Sequence, residues 1–145
     1  MDGAMGTYYQ QLQECKEEIA ELANLLEPEQ VLRIHKEYLE AGADLIRTNT
    51  FAVNSVVLSK ASNNVRDDLL RRACRIAKQA VAEEKERTGR ECFVAADIGP
   101  ISGTKELSEE EVLSEYFRNL AENEAGLRSG KRGIVRVPEF ISNHL

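Results

Sequence analysis

The sequence predicts an α/β protein built around a parallel sheet, and three observations lead there. Stretches with apolar residues at helical spacing alternate with short apolar runs. Each run is followed by a polar or Gly-containing segment. Cap and turn residues separate the two kinds of stretch. Strands that alternate with helices of such length form βαβ units, and the crossover helix makes neighbouring strands parallel.

In chain order, Met1-Asp2-Gly3-Ala4-Met5-Gly6-Thr7 reads as a tight turn with an acid at its mouth. Gly3 and Gly6 carry no Cβ and permit positive φ, so the backbone there can approach a ligand closely. Such a turn suits the two charged ends of a small amino acid, and an ordinary Gly-containing loop is the alternative on spacing alone. Leu12, Ile19, Leu22, Leu25 and Leu26 give partial helical periodicity, which predicts a helix within residues 12–25. A clearer helix opens at Pro28, carries Val31, Ile34, Tyr38 and Leu39 on one stripe, and ends at Gly42 as a left-handed cap.

Ala43 to Thr48 (ADLIRT) predicts a short strand, with Asn49-Thr50-Phe51 as the loop beyond it. Leu69, Leu70, Ala73, Ile76, Ala77, Ala80 and Val81 predict a long helix from about Arg66 to Arg87, stopped by Gly89. Phe93 to Ala96 is the next strand, ending at Asp97-Ile98-Gly99-Pro100. Ser108 and Glu111 form a capping box that opens a helix to about Ala125, with Gly126 as its stop. Gly133 to Val137 predicts a final strand. In parallel α/β folds, sites are assembled from the loops at the carboxyl ends of strands, so the segments at 2–7, 48–51 and 97–100 are expected on one rim.

Composition bounds the class. The 145 residues suit one domain; 42% are hydrophobic and 30% charged, as in ordinary globular proteins rather than disordered or membrane ones. Lys plus Arg number 19 against 25 Asp plus Glu, for a net charge of −6, and no basic block is long enough for a nucleic-acid tract. No signal-like leader and no membrane-length apolar run is visible, so a cytoplasmic location is expected, with neither nucleic acid nor membrane as partner. Cys15, Cys74 and Cys92 form no pair of metal-binding or disulfide spacing, and His35 and His144 stand apart from them.

Four separated segments, taken together, resemble the homocysteine S-methyltransferases: Asp2 to Thr7, Ile34 to Ile46 (IHKEYLEAGADLI), Thr48-Asn49-Thr50-Phe51, and Ile98-Gly99-Pro100. The likeness is nearest to the homocysteine-binding barrel of cobalamin-dependent methionine synthases and of bifunctional homocysteine S-methyltransferase/methylenetetrahydrofolate reductases. It implies a (β/α)8 TIM barrel, of which 145 residues are the N-terminal half, truncated after about strand four. The activity implied is methyl transfer to the homocysteine sulfur, giving methionine.

Carried across residue by residue, the resemblance implies that Asp2, Gly3, Ala4 and Met5 meet the amino-acid end of homocysteine. Thr48, Asn49, Thr50 and Phe51 shape the pocket after the second barrel strand, Asp97 and Gly99 lie on the rim after the third, and Glu139 matches a strand-four acid. The family's zinc is held by three cysteine thiolates from the second half of the barrel, so none of the three cysteines here is expected to be a ligand and no catalytic residue is assigned. Methyl-cobalamin on another module is the expected methyl donor, with S-methylmethionine or betaine as alternatives. Expected partners are homocysteine, the other barrel half or the cobalamin and folate modules, and a second copy of the chain.

Two departures from the family pattern stand out. The Glu that usually precedes Thr-Asn-Thr-Phe is Arg47 here, a long cation on a buried strand that needs a partner or a route to solvent. Residues 129–145 read as a divergent or aberrant tail on a single partial domain spanning 1–145. The expectations are therefore a homocysteine S-methyltransferase-like domain that is inactive as an isolated chain or, alternatively, a non-catalytic or oligomeric partial barrel retaining part of an amino-acid site. An unrelated α/β enzyme using Asp2 and Asp97 as a carboxylate pair is a third reading.

Overall fold

A computed structural model describes residues 1–3, 5–12, 19–58, 62–101, 107–128 and 133–136 of the chain. Five helices, α1 (Met5–Leu12), α2 (Ala23–Leu26), α3 (Pro28–Glu40), α4 (Asn63–Thr88) and α5 (Glu109–Arg128), accompany three strands, β1 (Leu45–Arg47), β2 (Phe93–Asp97) and β3 (Gly133–Arg136). The strands form one sheet in the order β1-β2-β3. Both pairings are parallel, with Ile46 opposite Val94 and Ala95 opposite Ile134. The predicted parallel α/β class is therefore the observed one.

The alternation of side chains along a strand separates two chemistries. Ile46, Val94 and Ala96 join Val31, Ile34 and Leu39 of α3 and Cys74, Ala77 and Ala80 of α4 in one buried cluster. Arg47, Ala95 and Asp97 occupy the alternate positions, and Arg47 pairs in register with Ala95. One face of the sheet is thus the apolar seat for the helices, and the other carries the charge. Helix α4 packs against both α3 and α5.

Residues 1–3 run beside β1, where the Asp2 N–H donates to the Leu45 carbonyl at 2.9 Å. The chain then enters α1 at Met5, earlier than the sequence reading of a turn through Thr7. Met5 and Tyr9, four apart, are both buried and fix that helix on its core face. Gly6 is therefore helical, and the glycines with positive φ among the described residues are Gly42 (99°) and Gly89 (74°). Gly3 serves close approach instead: a Cβ there would stand 2.7 Å from the Tyr38 hydroxyl.

The helix expected within 12–25 is a single 3-10 turn (Ala20–Leu22) leading into α2, and residues 13–18, with Cys15, lie outside the described residues. Helix α3 matches expectation, with Pro28 in its first turn. Its end is a Schellman motif: the Gly42 N–H donates to Leu39 O at 3.0 Å and the Ala43 N–H to Tyr38 O at 3.0 Å. Helix α4 begins slightly before Arg66 because Ser62 caps it, accepting from the Val65 N–H. The capping box of α5 is formed: Glu111 Oε2 accepts from the Ser108 N–H at 2.7 Å, and Ser108 Oγ from the Glu111 N–H at 3.3 Å.

Gly126 does not stop α5. It lies inside the helix, where a Cβ would meet Cys74 Cβ and Sγ at 2.9 Å, so its role is to let α5 lie close on α4. Strand β3 falls where the last strand was expected, and the rest of the 129–145 segment lies outside the described residues.

Candidate functional site

The carboxyl ends of β1 and β2, the segment 1–3 and the start of α1 converge on one cleft of about 340 Å³. Its lining is Asp2, Met5, Gly6, Thr7, Glu21, Arg47, Thr48, Asn49, Thr50, Phe51 and Asp97. Arg47 organises its floor. Its Nε donates to Asp2 Oδ1 at 3.0 Å, Nη1 to Asp97 Oδ2 at 3.1 Å, and Nη2 to the Gly3 carbonyl at 2.7 Å. The Arg47 backbone N–H also donates to Asp2 Oδ2 at 2.8 Å, so both oxygens of Asp2 are taken by one residue. The cation that the sequence left in need of a partner has two.

Burial explains why this triad holds together. The Asp2 side chain is 1% exposed, that of Asp97 12% and that of Arg47 23%. Desolvation works against the Arg47 charge, but the hydrogen bond and charge of Asp2, then the charge of Asp97, outweigh it and raise its pKa above the usual arginine value. A buried carboxylate such as Asp2 is tolerated because the guanidinium fork satisfies it.

The Thr-Asn-Thr run is spent on holding the rim in shape. The Thr50 hydroxyl donates to the Asp97 carbonyl at 2.6 Å, which leaves Thr48 Oγ1 to donate to Thr50 Oγ1 at 2.7 Å. Thr48 Oγ1 in turn accepts from the Asp97 N–H at 3.1 Å. Asn49 reaches the other way, donating to the Ala20 carbonyl at 2.8 Å and to Asn24 Oδ1 at 3.2 Å, while Asn24 Nδ2 donates to Asn49 O at 2.7 Å. These buried polar groups pin the β1 loop to β2 and to the 3-10 turn.

Phe51, 53% exposed, stands at the lip. Gly99 lies directly behind it: the Gly99 N–H donates to Phe51 O at 3.0 Å, and a Cβ at Gly99 would be 2.4 Å from that carbonyl oxygen. Glu21, buried on the α1 side of the cleft, accepts from the Ala52 N–H at Oε1, 2.8 Å.

Of the residues singled out from sequence, Asp2, Met5, Thr48, Asn49, Thr50, Phe51 and Asp97 all line this cleft. Gly3 contributes its carbonyl to Arg47, and Gly99 supports Phe51 from behind. Ala4 and Glu139 lie outside the described residues. Sequence reasoning marked Arg47 only as a departure from pattern and missed Glu21, while Gly6 and Thr7 entered it only as parts of the opening turn. The signal for Arg47 was present, since an unpaired cation predicted on a buried strand implies nearby acids. Glu21 carries no such signal in a run that reads as a generic helix.

Among the described residues no group of three His, Cys, Asp or Glu side chains is placed to hold a metal ion. Cys74 sits between α4 and α5, its Sγ 3.5 Å from Asn123 Oδ1, and burial pushes its thiol up to about 12. Cys92 precedes β2 at the opposite end of the sheet from the cleft, against the Ala43 carbonyl. No helix of the described residues is long and apolar enough to cross a membrane.

Comparison with known proteins places this geometry in context. The family profile described as Homocysteine S-methyltransferase matches residues 1–135. Methionine synthase of Mycobacterium leprae is 36% identical over 112 residues, a match that covers 72% of this chain and 9% of that protein. Among solved structures, the metallated form of the homocysteine methyltransferase MmuM from Escherichia coli superposes with a TM-score of 0.75 at 16% identity, over 87% of this chain and 49% of that one. The fold is thus that of about half of a TIM-barrel methyltransferase, and the chain spans well under two thirds of either relative.

Proposed function

The chain belongs to the homocysteine S-methyltransferase family, and from that premise we propose that its rim cleft binds homocysteine and supplies the substrate end of methyl transfer to the homocysteine sulfur. One observation carries the reading: segments some 45 and 95 residues apart in sequence bring Asp2, Thr48 to Phe51 and Asp97 around one cleft. That cleft holds three carboxylates, Asp2, Glu21 and Asp97, and one guanidinium, Arg47. Both signs of charge in one small space suit a zwitterionic amino acid, and the apolar surface of Met5 and Phe51 suits its short thiol-bearing chain.

In the reaction proposed, the homocysteine thiol first loses its proton to solvent water. The sulfur lone pair then forms the S–CH3 bond while the bond from the methyl group to its donor breaks, its electron pair leaving with the donor. Zinc coordination is the family's means of generating the thiolate, since a metal lowers a thiol pKa strongly. The described cysteines do not fit that group: Cys74 is enclosed between helices and Cys92 lies at the other end of the sheet. The described residues of this chain therefore act without holding zinc themselves. The part of this chain is to bind and orient the amino-acid end, to hold the β1 loop through the Thr48–Thr50–Asp97 lock, and to shield the thiol side with Phe51. Methyl-cobalamin on another module is the proposed donor, in a cytoplasmic protein.

A second reading, a partial amino-acid site without turnover, draws on the Asp2–Arg47 pair, which already satisfies the acid assigned to the substrate. Calorimetric titration of the full chain with L-homocysteine, followed by a methyl-transfer assay with added zinc, separates the two. Binding with turnover supports the methyltransferase reading. Binding without turnover favours the partial site, and no binding removes both.

A further inference from the structure

We infer that Arg47 is the residue that receives the ligand's carboxylate, and that the ligand's ammonium is taken by Glu21 rather than by Asp2. This rests on the homocysteine reading above and sets the orientation of the substrate within it. The family resemblance assigned the amino-acid end to Asp2, but both oxygens of that carboxylate already accept from Arg47. Its Oδ1 accepts from Arg47 Nε and its Oδ2 from the Arg47 backbone N–H, and the side chain is 1% exposed. An ammonium there would compete with the guanidinium for a buried carboxylate, and displacing the guanidinium would leave a desolvated charge behind.

Arg47 has the complementary surplus. A guanidinium offers five N–H donors. Three are committed, to Asp2, Asp97 and the Gly3 carbonyl, and two have no acceptor among the described residues. The group is 23% exposed, whereas the side chain of the acid that orients it is 1% exposed. Asp2 is thereby a positioning residue: it fixes the fork, and the fork faces the ligand. A planar guanidinium whose Nη1 and Nη2 each keep one uncommitted N–H suits a ligand carboxylate, where a lysine would offer only a point charge.

Glu21 is the acid on the lining that Arg47 does not engage. Its Oε1 is occupied by the Ala52 N–H, and its Oε2 accepts no hydrogen bond from the described residues. It enters from the 3-10 turn, a different element from β1. Carboxylate and ammonium of one α-amino acid thus meet charges of opposite sign on separate walls of the cleft. The specificity this predicts is for a thiol that carries a carboxylate.

The test uses the full wild-type chain and two homocysteine analogues, each lacking one charged group. 4-Mercaptobutanoate keeps the carboxylate and lacks the ammonium; 3-aminopropane-1-thiol keeps the ammonium and lacks the carboxylate. Wild type is expected to prefer 4-mercaptobutanoate by about tenfold, because Arg47 offers a carboxylate two uncommitted N–H donors where Glu21 offers an ammonium one uncommitted oxygen. Arg47→Gln should abolish that preference, and Glu21→Gln should weaken homocysteine and the aminothiol while sparing 4-mercaptobutanoate. Binding of homocysteine with the aminothiol preferred by the wild type would overturn this orientation and leave the homocysteine reading standing. Failure of homocysteine itself to bind would overturn both. The wild-type comparison decides the matter even if the Arg47 variant does not fold.

Discussion

Two arginines mark the two ends of the same short sheet, and each is built into nearly the same set of partners. Arg47, at the carboxyl end of β1, meets two carboxylates and a backbone carbonyl. Arg90, just ahead of β2 at the amino end, meets Glu84 at 3.0 Å, Asp44 at 3.3 Å and the carbonyl of Leu39. The partners differ in where they come from. Leu39 O and Glu84 belong to the last turns of α3 and α4, so Arg90 places a cation where the helix dipoles and unpaired carbonyls call for one. The partners of Arg47 sit at strand ends around a cleft. The same charge inventory therefore stabilises helix termini at one end and, in the function proposed above, orients a donor fork toward a ligand at the other, as in the division of labour between the two faces of a barrel.

Acid gives the largest way to disturb the comparison. His35, wholly buried in α3 with no hydrogen-bond partner on either ring nitrogen among the described residues, has its pKa lowered by burial to about 3. The unfolded chain takes up a proton below about pH 6.5 and the folded one does not, so stability falls as pH drops from 6.5 toward 3. The slope approaches about 1.4 kcal/mol per pH unit. His35→Leu should flatten it in urea denaturation followed by circular dichroism. The Arg90 end then becomes visible: hydrogen bonding to Arg87, opposed by burial and aided by Arg90, lowers the Glu84 pKa. That contribution is present above the ordinary glutamate range and is lost as pH falls through the lowered value.

Arg47→Ala comes next, with an expected loss of about 3 kcal/mol, because it strands a buried Asp2 without its cation. Arg90→Ala should cost less, about 1–2 kcal/mol, since Glu84 keeps its 2.6 Å contact with Arg87 and Asp44 is open to water. Equal losses, or the reverse order, would erase the distinction between the two ends.

Glycine substitutions sharpen the contrast more gently. Gly99→Ala should cost about 2 kcal/mol and shift Phe51, because its Cβ meets a backbone oxygen that cannot move cheaply. Gly89→Ala, in open space but at φ 74°, should cost about 1 kcal/mol through backbone strain alone. Gly3→Ala should fall below both, at roughly 0.5 kcal/mol, since it meets only the far end of the Tyr38 side chain. Thermal melts of the three variants check the order.

Most of the scaffold was legible because it rests on local signals. Pro28 with Gly42, and Ser108 with Glu111, are caps whose chemistry acts within four or five residues, and the strand at 93–97 is a compact apolar run. Gly126 was misread because a stop and a close helix contact leave the same letter in the sequence, and only the position of Cys74 separates them. The rim was legible as a set of segments, but the division of roles within it was not. Thr48, Asn49 and Thr50 look like ligand-binding groups in sequence, yet their hydrogen bonds go to Asp97, Ala20 and Asn24. Arg47 looked like an anomaly and is the centre of the cleft, because its partners lie 45 and 50 residues away.

The Arg47 end, and not the Arg90 end, is the proposed ligand site. Amide chemical-shift mapping of the isotope-labelled full chain during titration with L-homocysteine tests it most directly. Saturable shifts are expected at Asp2, Glu21 and Arg47 to Phe51, with Glu84 to Cys92 unmoved. Shifts centred on Glu84 to Cys92, or no saturable shift at the rim, would contradict it.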